Sequence, residues 1–125
     1  RTDTPGAADV GVPAFIDLMY GDYLPPEEQG MFAAGLADVE SKSMAAHRQA
    51  FASLGPAQQD ALLQEIARAA QPQARTFFHQ MRELTILGYF TSETVGKEVL
   101  HYDPIPGRLD ACIPLAEVGD RAWTR

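Results

Sequence analysis

A chain of 125 residues has room for one domain with one modest core, and 46% hydrophobic with 22% charged residues is the composition of a folded protein. Seventeen acidic against ten basic side chains leave a net charge of −7, which argues against nucleic acid and against adsorption to anionic lipid. No apolar run approaches the ~18 residues of a membrane span, and a single cysteine excludes an internal disulfide framework and any CxxC metal or redox motif. The charge is uneven. Residues 1–60 carry 9 acidic and 3 basic groups, against 8 and 7 in residues 61–125, so the first half presents an acidic, solvated face.

Residues 1–11, small and polar, read as a flexible arm. Pro13 suits a first helical turn, and Phe15, Ile16, Leu18 and Met19 continue at helical spacing as far as Gly21. Pro26-Glu27-Glu28 opens a second helix, with carboxylates at the positive end of its dipole. Phe32, Leu36, Val39 and Ser43 then mark one face, and the absence of proline before Pro56 predicts a long helix from Glu27 to Leu54. Gly55-Pro56 starts a third, with a stripe of Leu62, Leu63, Ile66, Ala67 and Ala70. Pro72 starts a fourth, whose stripe is Phe77, Phe78, Met81, Leu84 and Leu87, and Gly88 is placed to end it. Thr91-Ser92-Glu93 caps a short helix through Leu100. The expected fold is all-α: a small bundle of about four helices spanning residues 12–100, with a short helix and an extended, proline-rich arm over 101–125. Pro104, Pro106 and Pro114 exclude a long helix in the arm, while Tyr102, Ile105, Leu109, Ile113, Leu115, Val118 and Trp123 are too apolar for a disordered tail. Such an arm must wrap its own bundle or lie on another protein.

The sequence offers little for catalysis. His47, His79 and His101 share no ligand spacing, no serine sits in a GxSxG turn, and no glycine-rich phosphate loop follows a strand. Cys112 has apolar neighbours and no local base to lower its pKa. The carboxylates fall at helix starts or on polar faces. The residues therefore describe a non-catalytic helical protein with an unusual arm.

The run from Arg82 through Leu115 resembles the gluconate 2-dehydrogenase subunit 3 family. The pieces that carry the resemblance are Thr85, Gly88-Tyr89-Phe90-Thr91-Ser92-Glu93, then Tyr102-Asp103 with Pro106-Gly107, then Asp110 and Cys112. Gly11 to Leu24 and Met31 to Glu40 are similar to the same family. The resemblance implies a noncatalytic small subunit of a periplasmic sugar or sugar-acid dehydrogenase. Its partner would be a flavoprotein of the glucose–methanol–choline (GMC) oxidoreductase type, holding FAD and in some complexes an iron–sulfur cluster, and electrons would pass to a cytochrome c subunit or another acceptor. It also implies a Tat leader ahead of Arg1 and a role in escorting the folded partner through export. No cofactor and no metal is expected in this chain. The expected partner interface comprises Tyr89, Phe90, Tyr102, Pro104, Pro106, Gly107, Cys112 and Trp123, in an arm that is mostly extended from Tyr89 onward. An unpaired cysteine in an exported protein points either to an intersubunit disulfide or to burial among its apolar neighbours. The alternative reading is a stand-alone helical module that binds a small ligand or another protein.

Overall fold

The computed structural model describes residues 3–70, 76–100, 102, 105, 107, 112 and 114–118. Among these the protein is all-α: α1 Val12–Leu18, α2 Pro26–His47, α3 Pro56–Ala69, α4 Phe77–Phe90 and α5 Leu115–Val118. Two π-helical turns, Met19–Tyr23 and Val95–Val99, and a 3-10 turn at Phe51–Ser53 complete the elements. The chain divides into two compact units. The central unit is Asp17–Leu84, and the terminal unit combines Arg1–Ile16 with Thr85–Arg125.

In the central unit, α2 starts with Pro26 at its first position and Glu27 and Glu28 in its first turn, as proline geometry and the helix dipole favour. The Gln29 amide donates to the carbonyls of Tyr20 (2.9 Å) and Leu24 (3.0 Å), fastening the first π-helical turn to α2. The buried face is Phe32, Val39 and Ser43; Leu36, expected with them, is exposed. The long helix expected to reach Leu54 ends instead at His47. Arg48 takes the left-handed conformation (φ 57°), and the buried Ser43 hydroxyl donates to the Gln49 carbonyl at 2.8 Å. A Glu40 carboxylate oxygen then accepts from the Phe51 N–H at 3.1 Å. These polar contacts turn the chain without glycine or proline, which is why the sequence pattern ran on. At α3, Gln58 accepts from the Gly55 N–H (3.2 Å) and Gln59 donates to the Phe51 carbonyl (3.0 Å), while Leu62 is buried and its neighbour Leu63 is exposed.

The start expected for α4 at Pro72 lies outside the described residues. The helix runs from Phe77, with the Thr76 hydroxyl accepting from the His79 N–H at 3.4 Å as an N-cap. Phe77 meets Phe32 edge-on at 5.3 Å, and Phe32 meets Tyr20 at 5.6 Å. Gly35 makes this approach possible: a Cβ there would lie 2.1 Å from Phe77 Cγ. One turn on, buried Gln80 donates to a Glu28 carboxylate oxygen at 3.0 Å.

In the terminal unit Val12 and Val95 are buried. The Tyr89 hydroxyl donates to the Pro5 carbonyl at 3.0 Å, and residues 7–11 form turns leading through Gly11 (φ 82°) into α1. Gly88 does not end α4 as the sequence suggested. It lies inside the helix, buried, because Phe15 covers it; a Cβ at Gly88 would come 2.6 Å from Phe15 Cδ1. Leu87, expected in the buried stripe, is exposed.

Two glycine substitutions are expected to destabilise and one to stabilise. Gly35→Ala forces Phe77 to move as a whole and should cost about 1–3 kcal/mol; Gly88→Ala displaces only a ring edge and should cost less. Gly30, in α2 with open space around its Cβ position, should gain up to ~1 kcal/mol on conversion to alanine. Denaturant unfolding of the three variants checks both the order and the signs.

Candidate docking surface

The last turn of α4 and the helical segment after it build the most developed surface feature among the described residues. Because α4 continues past Gly88, Tyr89 and Phe90 sit in its final turn with their rings edge-to-face at 5.2 Å. Their environments differ. Tyr89 is half-buried and engaged with Pro5, whereas Phe90 is 50% exposed. The Thr91 hydroxyl donates to the Leu87 carbonyl (2.7 Å) and the Ser92 hydroxyl to the Tyr89 carbonyl (2.8 Å), satisfying the open end of the helix. Ser92 also accepts from the Val95 N–H at 3.4 Å, so it caps the next segment as the sequence suggested. That segment is helical at Glu93-Thr94 and closes as a π-helical turn, with the Leu100 N–H bonded to the Val95 carbonyl at 2.9 Å.

Between these pieces lies an open groove of about 480 Å³, lined by Phe90, Thr91, Ser92, Glu93, Gly96, Lys97 and Tyr102. Tyr102 is 57% exposed and Ile105 83%. Ile86 and Leu87 are exposed on the same turns of α4 as Phe90. Gly96 lines the groove, and a Cβ there would lie 3.9 Å from Tyr102 Cβ, an ordinary contact. On the rim, Lys97 pairs with Glu93 one turn earlier. The hydrogen bond from Lys97, and then its charge, hold the Glu93 carboxyl below the usual carboxylate range, and the same contact raises the Lys97 ammonium.

The expected interface residues divide accordingly. Phe90 and Tyr102 line one groove. Tyr89 does not line it; its ring meets Phe90 edge-on and its hydroxyl donates to the Pro5 carbonyl. Gly107 is exposed with a φ of 66°, a conformation that suits glycine. Pro104, Pro106 and Trp123 lie outside the described residues. The stretch from Tyr89 to Leu100 is mostly helical, as the Thr91-Ser92-Glu93 cap implied and against an arm extended from Tyr89 onward, because Ser92 restarts the helix that α4 ended. Pro114 likewise opens a helical turn, its carbonyl accepting from the Glu117 N–H at 2.9 Å. Cys112 is a free, exposed thiol among the described residues, not the buried one that its apolar neighbours suggested. Gly96 and the Glu93–Lys97 pair were not picked out from the sequence as site residues, although the i, i+4 charge spacing was there to be read.

Among the described residues no three His, Cys, Asp or Glu side chains come together as a metal site, and no helix is long and apolar enough to cross a membrane. Residues 1–107 match the family model of gluconate 2-dehydrogenase subunit 3. The chain belongs to that family, and it is thereby a subunit of a multi-subunit dehydrogenase. The match includes Tyr89, Phe90, Tyr102, Pro104, Pro106 and Gly107 and stops before Cys112 and Trp123. No curated protein and no solved structure matches the chain.

The rim pair fixes a pH dependence. A lowered Glu93 pKa contributes stability above the unfolded carboxylate range that is lost as pH falls through the folded value. A raised Lys97 pKa contributes below the unfolded lysine range and is lost as pH rises through its folded value. The pair is therefore intact across neutral pH. An NMR titration should place Glu93 below the usual carboxylate range, and Lys97→Met should return it to that range.

Proposed function

We propose that this chain is the noncatalytic small subunit of a periplasmic, FAD-dependent sugar or sugar-derivative dehydrogenase. It stabilises a GMC-type catalytic subunit and escorts it through Tat export. FAD, with an iron–sulfur cluster in some complexes, belongs to the catalytic subunit, and a cytochrome c subunit or another acceptor takes the electrons. The observation that carries the docking role is the groove: Phe90 and Tyr102 stand open to water on a frame whose own hydroxyls are already hydrogen-bonded. Exposed aromatic rings grouped at one opening are what interface anchors look like before a partner covers them. Family membership supports the place in a dehydrogenase complex. The exposed Cys112 then either bridges to a partner cysteine or is covered by the partner.

The test is co-expression of the tagged chain with the dehydrogenase gene cluster of its source, followed by purification under native conditions. A flavin-coloured partner of larger mass should co-purify in stoichiometric amount. Removing residues 101–125 should abolish that capture while the helical circular dichroism of the remaining chain persists. Full-strength capture by the truncated chain would move docking to the helices. A chain that is monodisperse and captures nothing would return the alternative of a stand-alone binding module. Non-reducing electrophoresis of the complex decides Cys112: one band at the summed mass that collapses with reductant marks a bridge, and two bands mark a covered thiol.

A further inference from the structure

The groove's polar groups narrow the chemistry of what it can receive. The hydroxyls of Thr91 and Ser92 are committed to the Leu87 and Tyr89 carbonyls. What remains for an incoming group is the exposed face of Phe90, the ring and phenolic hydroxyl of Tyr102, and the rim carboxylate of Glu93. Two aromatic faces beside a carboxylate suit a planar cation. A guanidinium stacks on rings and offers paired N–H donors to a carboxylate, which an ammonium does not. The present occupant of Glu93 is Lys97, in a wholly exposed i, i+4 pair, the kind of contact that costs little to exchange. Glu98 is a second exposed carboxylate next to Lys97, so Glu93, Lys97 and Glu98 together carry a net negative charge.

We propose that the Phe90–Tyr102 groove receives an arginine side chain of the catalytic subunit, its guanidinium stacked on the rings and paired with Glu93 in exchange for Lys97. The proposal rests on the docking role above and names the chemistry of that contact. It makes Lys97 a competitor of the partner: removing Lys97 helps docking, and removing Glu93 harms it, although the two residues form one ion pair. Gly96 lines the opening, so a large side chain placed there would fill it.

Two experiments test it. The full chain, isotopically labelled, is titrated with N-acetyl-arginine amide and, separately, with the neutral isostere N-acetyl-citrulline amide. Saturable shifts at Phe90, Gly96 and Tyr102 with the arginine probe, several-fold weaker in Glu93→Gln and with citrulline, are expected. Equal response to both probes, or shifts confined to other residues, overturns the guanidinium assignment. In the purified complex, Glu93→Gln and Gly96→Trp should weaken subunit affinity by roughly tenfold, and Lys97→Met should strengthen it by about twofold. If Lys97→Met weakens the complex as much as Glu93→Gln does, the pair is part of the frame and the exchange is wrong. If no flavoprotein co-purifies at all, the docking role fails, and the titration still decides the groove's chemistry. Circular dichroism of each variant confirms its helical content, which a groove filled by Gly96→Trp should leave intact.

Discussion

The structure depends on α4 being approached at two points where no Cβ stands in the way. In the central unit Phe77 of α4 seats its ring on Gly35, and in the terminal unit Phe15 seats its ring on Gly88 of α4. A methyl group at either position would fall inside van der Waals contact, and well-packed interiors absorb such intrusions only by shifting side chains off their minima. The second contact has a consequence for function. Because Gly88 is spent on receiving Phe15, it does not terminate the helix, and α4 runs on to Phe90. Tyr89 is thereby turned toward Pro5 and Phe90 toward solvent. Ser92 closes α4 and opens the next helical segment with one hydroxyl. The groove is the space left between the two segments, so its existence follows from where α4 stops.

Charge and apolarity then divide the labour. The acidic excess lies in residues 1–60, where the carboxylates of Glu27 and Glu28 fall in the first turn of a helix and Glu40 serves as a loop acceptor. The groove in the terminal unit is apolar at its walls and weakly charged at its rim. On a basic partner surface, such charge would add encounter rate and orientation, and the aromatic rings residence. Exposed apolar side chains in the central unit, Tyr23, Leu36, Met44 and Leu63 among them, are of the scattered kind found on any protein surface.

Helical class, the proline starts of α2 and α3 and the Ser92 cap were legible in the sequence, because each is a local signal with a fixed physical cause. The end of α2 was not. Its turn is made by Ser43, Arg48 and Glu40 acting together, and serine, arginine and glutamate are all acceptable inside a helix. Gly88 was misread for a related reason: a glycine that ends a helix and one that admits a neighbouring ring look the same until the ring is placed. Of the residues expected at the interface, Phe90 and Tyr102 are exposed aromatics of one groove, whereas the Tyr89 hydroxyl serves its own chain, a contact across the sequence that no local pattern marks. Gly96, which lines the groove, carries no sequence signal, because only the fold places it there.

In the docking proposed above, the partner covers the terminal unit at the end of α4. Hydrogen exchange of the chain alone and in the purified complex tests it most directly. Added protection is expected in peptides spanning residues 86–102, with little change across α2 and α3. Added protection confined to residues 26–69, with residues 86–102 exchanging as in the free chain, would contradict it.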